Sequence, residues 1–276
     1  MGPVPLFVEL CAGTAALSLR LQQRKAKPPV SRMGSKSGYA DAILRVLGLH
    51  AGQKADHYLL CEPDAGCRLL LEAYRDRALA LAAADIIRSW ADEEPRALWE
   101  RLRAEGPPVC PPADAREVAR WVVRSMWSYE QGNIRTGFVG PGDRRQDTTA
   151  TAAKIARLQG LPATIADDAR PIEPGTLPPG TVVYADVPYQ GTTGYAHLFP
   201  REEWLPVVRR WAEAGAIVCI SEAEPIPELV ADGWHAVEIT GARVGQARTF
   251  SKQKCEWLTL NRPPAWTVPV QTGLFG

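Results

Sequence analysis

What this sequence lacks narrows it first. No window of its 276 residues approaches the roughly 20 consecutive apolar residues of a membrane span, and the opening MGPVPLFVEL carries no basic segment of a secretory signal. A cytoplasmic protein with no membrane partner is the expectation. Charge of one sign is missing too: 32 Lys and Arg face 31 Asp and Glu, a formal net charge of +1, so any anion site has to be a local patch. The six cysteines (Cys11, Cys61, Cys67, Cys110, Cys219, Cys255) form no CxxC pair and have no histidines at zinc spacing, which argues against a disulfide framework and a bound metal. There is no internal repeat and no low-complexity tract.

What is there fits a globular chain with a substantial core. It is 46% hydrophobic and 23% charged, enough for one or two domains. Lysine supplies only 7 of the 32 basic residues, and Gly and Pro number 23 and 24, a bias that suits many tight turns and a GC-rich coding genome.

Apolar periodicity predicts a strand over Leu6 to Leu10, the small-residue turn Cys11-Ala12-Gly13-Thr14-Ala15, then a helix carrying Leu17, Leu19 and Leu21. A second helix is expected from about Gly38 to Leu47, a strand over His57 to Asp64, and helices through most of Ala65 to Leu102. The run GPPVCPPAD (Gly106 to Asp114) breaks the chain, with Asp114 placed to cap a helix from Ala115. Gly132 to Asp147 is a glycine- and arginine-bearing loop before a helix over Thr148 to Leu158. Strands Thr181 to Asp186, Ala216 to Ser221, HAVEIT and EWLTLN then alternate with the helices REEWLPVVRRWAEAG and IPELVADG. Near-continuous apolar strands between amphipathic helices argue an α/β fold, an open sheet with helices on both faces.

In such sheets ligands sit beyond the carboxyl ends of strands, so the residues there are the candidates. After Leu10 comes CAGTAA, whose small residues let a ligand approach the backbone closely. After Leu60 comes Cys61-Glu62-Pro63-Asp64, with Glu62 or Asp64 able to hold vicinal ribose hydroxyls; Gly13 and Glu62 stand 49 residues apart where about 20 is usual, so something is inserted between them. After Ala185 comes Asp186-Val187-Pro188-Tyr189, where a carboxylate, a backbone carbonyl and an aromatic ring in near succession make a compact receptor for a planar amine. Ser221 and Glu222 read as a helix N-cap, and the nine Trp residues as core. A nicotinamide-dependent oxidoreductase shares the fold class, but the sequence has no GxGxxG and that reading leaves Asp186 to Tyr189 unexplained.

VVYADVPYQGTTGY resembles the YxDPPYxGTTGY element of amino-group DNA methyltransferases, and the chain as a whole resembles the Dam-like, phage-type DNA adenine methylases. FVELCAGTAALSL is similar to their S-adenosylmethionine loop FVEPFxGxG, PPVSRMGSKSGYADAIL to their WxGGK element, and VCISEAEP to the following core strand. These matches leave about Leu69 to Leu158 uncovered. Three departures stand out: Ala15 replaces the last loop glycine, the GGK-like element follows the cofactor loop instead of preceding it, and Val187 replaces the first proline of DPPY. The Val187 carbonyl survives as an acceptor, while the rigidity of a proline, with φ held near about −65°, is lost.

The resemblance implies a Rossmann-like class I methyltransferase sheet with a small helical and loop insertion for DNA recognition. It implies a cofactor-binding part over 1–105 with a GGK-like insertion at 25–40, a target-recognition insertion over 106–160 and a catalytic part over 161–276. The implied reaction moves a methyl group from S-adenosylmethionine, leaving S-adenosylhomocysteine, to the exocyclic amine of an adenine flipped out of DNA. Asp186, Val187, Pro188 and Tyr189 would be catalytic; Glu9, Cys11, Ala12, Gly13, Thr14, Met33, Gly34, Lys36, Glu62 and either Asp167 or Asp168 would bind cofactor. Arg32, Lys36, Arg135, Arg144, Arg145, Thr192, Thr193 and Tyr195 would meet DNA, with Lys36 and Arg32 open between DNA phosphate and the methionine end of the cofactor. The partner is then DNA, in a bacterial or phage-encoded setting; a cognate restriction enzyme is left open. Methylation of the cytosine exocyclic amine and a catalytically impaired, DNA- or cofactor-binding homologue, with Val187 as the lesion, are the alternatives.

Overall fold

The computed structural model describes residues 4–30, 35–128, 137–139, 147–158, 160–189, 197–239 and 256–266. Among the described residues, seven strands form one sheet: β1 (Val4–Leu10), β2 (Ala55–Cys61), β3 (Ala163–Ala166), β4 (Val182–Ala185), β5 (Ile217–Glu222), β6 (His235–Ile239) and β7 (Glu256–Leu260). Their order is β3-β2-β1-β4-β5-β7-β6, with β7 antiparallel to both of its neighbours and the other pairings parallel. This is a doubly wound α/β sheet, compatible with a Rossmann-like fold. The order reverses between β1 and β4, so the topological switch point lies at their carboxyl ends.

The alternation of side chains builds two cores. Phe7, Tyr58, Leu60, Val182 and Tyr184 point to one face, where they are covered by α1 (Ala16–Gln22), α2 (Ala40–Val46), α3 (Ala65–Arg75), α4 (Arg77–Ser89), α5 (Pro95–Ala104), α6 (Ala115–Met126) and α7 (Thr148–Ala156). Val8, Leu10, Val183, Ala185, Val218 and Ile220 point to the other, against α8 (Arg201–Glu213) and α9 (Pro227–Ala231). The stripe Trp204, Val207, Val208 and Trp211 is the buried face of α8, as its spacing predicts. No helix among the described residues is long and apolar enough to cross a membrane.

Among the described residues, five helices start on an acidic cap, which satisfies amides that would otherwise be orphaned at the helix ends. Asp64 accepts from Cys67 N, Asp76 from Ala78 N and Leu79 N, Glu94 from Arg96 N and Ala97 N, Asp114 from Glu117 N and Asp147 from Ala150 N. Each such cap stabilises by about 1 kcal/mol. In α3, Gly66 meets α6 so closely that a Cβ there would lie 1.8 Å from Trp121 Nε1. The helices α6 and α7, within the stretch assigned to target recognition, carry buried Val118, Trp121, Val122 and Ile155 in the same helical layer as α3 and α4.

The structure differs from the sequence-based expectations in four places. The expected strand ending at Asp64 stops at Cys61, because Pro63 has no N–H for a ladder and Asp64 is spent as the cap of α3. The segment expected as one helix from about Gly38 is a 3-10 turn at Lys36–Gly38 followed by α2. Ser221 and Glu222 do not cap a helix: they close β5, and α9 has Ile226 at its N-cap position with no side-chain cap. Finally, β3 is an unexpected strand, since ATIA is short and only half-buried on the outer edge of the sheet.

Candidate active site

The switch point assembles the small-residue loop and the Asp186 segment side by side. Leu10 and Ala185 are register partners on adjacent strands, and Asp186 N–H donates to the Leu10 carbonyl at 3.3 Å. The loop after Leu10 winds through three left-handed residues, Cys11 (φ 62), Gly13 (φ 53) and Ala15 (φ 46). Glycine suits that region at no cost; Ala15 carries its Cβ there, where a family-like glycine would be relaxed. Among the described residues, a Cβ on Gly13 would find nothing within 4 Å. The Thr14 carbonyl accepts from the buried Tyr74 hydroxyl, which anchors the far side of the loop to α3.

Two buried carboxylates hold this loop. Glu62 Oε2 accepts from Gly13 N–H at 2.6 Å and Oε1 from Asp64 N–H at 3.0 Å, while Ala12 N–H donates to the Cys61 carbonyl at 2.7 Å. Glu9 Oε1 accepts from Ser18 N–H at 2.6 Å, so an acid from β1 serves the N-terminus of α1, which has no side-chain cap of its own. Burial pushes the Glu9 carboxyl up to about 7 despite the Ser18 hydrogen bonds, with Asp186 adding a smaller upward push.

At the end of β4, Asp186 faces a buried cation. Lys36, on the 3-10 turn, is 5% exposed, and its Nζ lies 2.8 Å from Asp186 Oδ1 and 3.4 Å from Glu256 Oε1. It also donates to the Tyr189 hydroxyl at 2.6 Å and sits 4.7 Å from the centre of that ring. Tyr189 in turn donates to Glu256 Oε1. Burial works against the Lys36 charge, but Asp186 and Glu256 outweigh it and hold its pKa above the ordinary lysine value. Asp186 itself is pushed up to about 6 by burial, even with Lys36 pulling it down. Burial first, then the neighbouring Asp186 and Glu256 charges, push the Tyr189 hydroxyl far above the usual phenol range.

Of the proposed residues, the structure gathers Glu9, Cys11, Ala12, Gly13, Thr14, Lys36, Glu62, Asp186 and Tyr189 at one sheet edge. Val187 is 1% exposed and buried in the second core. Asp64 caps α3, and Glu62, just after β2, is the acid that touches the loop. Asp167 and Asp168 follow β3 at that edge; Asp167 is exposed, and Asp168 accepts from Arg170 N–H and Nη1. Arg32, Met33, Gly34, Arg135, Arg144, Arg145, Thr192, Thr193 and Tyr195 lie outside the described residues.

No local motif includes Glu256. An antiparallel strand begins where its parallel neighbours end, so the first residue of β7 arrives at the ligand edge, beside Trp257 paired with Glu222. The available signal was the acid opening an otherwise apolar strand, EWLTL. Together Glu9, Glu62, Asp186, Glu222 and Glu256 make this edge acidic and suit it to a cationic or hydrogen-donating ligand. Searches against protein-family models and curated proteins find no match for this chain.

Proposed function

We propose that this chain is an S-adenosylmethionine-dependent methyltransferase acting on the exocyclic amine of adenine in DNA. The observation that carries the reading is the adjacency at the switch point, where the loop at Gly13 and the carboxylate of Asp186 occupy neighbouring strand ends. The sheet order, with its antiparallel last strand, is compatible with the class I methyltransferase sheet that the motifs resemble.

The residues present fit the cofactor. Glu62 is a buried acid beside a glycine turn that meets no described residue, which suits a nucleoside, and Glu9 and Asp186 make the surroundings favourable to a sulfonium cation. Cys11, Ala12, Gly13, Thr14 and Glu62 would hold it. When bound, it supplies an electrophilic methyl group for a single displacement by nitrogen. Asp186 and the Val187 carbonyl accept the two hydrogens of the target amine and leave electron density on its nitrogen. The Tyr189 ring replaces the stacking that a flipped base loses. Asp186 also holds the proton that the methylated nitrogen sheds, and positioning supplies the rest of the acceleration.

The test is incubation of the full chain with methyl-labelled S-adenosylmethionine and genomic DNA, followed by nucleoside digestion. Label is expected on the adenine exocyclic amine and is expected to fall by roughly a hundredfold or more in Asp186→Asn. Label confined to the cytosine amine would shift the substrate; undiminished transfer in Asp186→Asn would overturn the reading. The impaired-homologue reading has one observation in its favour: the Val187 side chain is packed into the second core rather than shaping a rigid prolyl turn. Cofactor binding without transfer, with transfer gained in Val187→Pro, would support it.

A further inference from the structure

The acceptor that this chemistry needs already has an occupant. Lys36 Nζ is 2.8 Å from Asp186 Oδ1, and an ammonium and an exocyclic amine are both N–H donors contending for the same carboxylate. A base that takes Asp186 must displace that ammonium inside a buried site, where a cation left without a carboxylate is strongly disfavoured. A second carboxylate is already in range: Glu256 Oε1 stands 3.4 Å from Nζ, is buried, and accepts the hydroxyl of Tyr189, which Lys36 also touches.

We propose that Lys36 is a place-holder on Asp186 and that Glu256 receives its ammonium when the target amine takes Asp186, which makes both positioning residues for base capture. The inference rests on the transfer reading above. The hand-over moves no proton: the ammonium keeps its three hydrogens, exchanges one carboxylate contact for another, and leaves the charge of the site unchanged. Before the base arrives, the place-holder keeps Asp186 ionised and oriented. Afterwards, the ammonium on Glu256 still holds the Tyr189 hydroxyl and so keeps the stacking ring in place. The other titratable groups coupled to Asp186 are Glu9 and Cys11 from the β1 end, Tyr184 from β4, Tyr189, and Glu222 from β5. None of these side chains is a cation, so none of them can substitute for Lys36.

The experiment measures kcat and KM for genomic DNA in wild type, Lys36→Met, Glu256→Gln and the double variant, with cofactor affinity by calorimetry. Glu256→Gln is expected to raise KM for DNA by about tenfold or more at unchanged cofactor affinity, and to lose most of that effect in the Lys36→Met background, where no ammonium needs a receiver. The pH profile gives a readout that a merely structural fault would not move. Removing the Glu256 charge shifts the acid limb to lower pH, and removing the Lys36 charge shifts it to higher pH. The same opposite shifts are expected in the Asp186 carboxyl resonance, titrated by NMR without DNA and assigned with Asp186→Asn. Should Lys36→Met fail to fold, Lys36→Gln, which keeps a donor without the charge, is expected to shift it in the same direction. Additive effects of the two single variants, or shifts of one sign, would overturn the hand-over while leaving the transfer reading intact. Absence of transfer in wild type would instead strike that reading.

Discussion

The buried acid beneath the loop sets up a stability measurement with a definite sign. Glu9 is 3% exposed, and its carboxyl rises from an ordinary 4.5 to about 7, because burial outweighs the hydrogen bonds from Ser18. The native state then binds more protons than the unfolded chain between those values, so unfolding free energy falls as pH rises through the window and levels off above it. A shift of that size corresponds to roughly 3 kcal/mol, about 1.4 kcal/mol for each pKa unit. Glu9→Gln keeps an oxygen for the Ser18 amide and has no charge to bury. Urea unfolding followed by Trp fluorescence, from pH 4.5 to pH 8, is expected to show the variant gaining roughly 3 kcal/mol on wild type across the range, with most of the change between pH 5 and 7. A difference that stays flat with pH, or that favours wild type more at pH 8 than at pH 4.5, would refute the assignment of a buried ionising cost to this residue. Because other titrating groups are common to both proteins, the difference isolates Glu9 and its coupling to Asp186.

Three further outcomes follow from the same geometry. Transfer activity is expected to decline as pH drops through about 6, where Asp186 takes up a proton and is no longer a charged acceptor for the target amine; a rate independent of pH from 5 to 8 would contradict the acceptor role. Asp64→Ala is expected to cost about 1 kcal/mol of stability through loss of the α3 cap, with cofactor affinity unchanged by calorimetry, whereas Glu62→Gln, next to Gly13, is expected to weaken cofactor binding; the reverse pattern would exchange their roles. Gly66→Ala places a methyl 1.8 Å from Trp121 Nε1, so α3 and α6 must separate; thermal melts are expected to show a loss of about 3 kcal/mol or more, and a wild-type melting temperature would refute that packing.

Local chemistry made much of this molecule legible in the sequence. Near-continuous apolar runs marked β1, β2, β4, β5, β6 and β7, the stripe of Trp204 to Trp211 marked α8, and Asp114 marked the start of α6, because side-chain spacing and capping act over a few residues. The loop at Gly13 and the segment Asp186 to Tyr189 were visible for the same reason, as strand ends with unusual composition. The four residues of β3 escaped because an edge strand half open to solvent needs no continuous apolar run. Only tertiary structure decided that β4 lies against β1 and that antiparallel β7 delivers Glu256 to the ligand edge. It also decided that Lys36, read as a contact for phosphate or cofactor, is buried between Asp186 and Glu256. Those three residues are separated by 150 and 70 positions in the chain, and nothing within a local window couples charges so far apart; the whole packed sheet does.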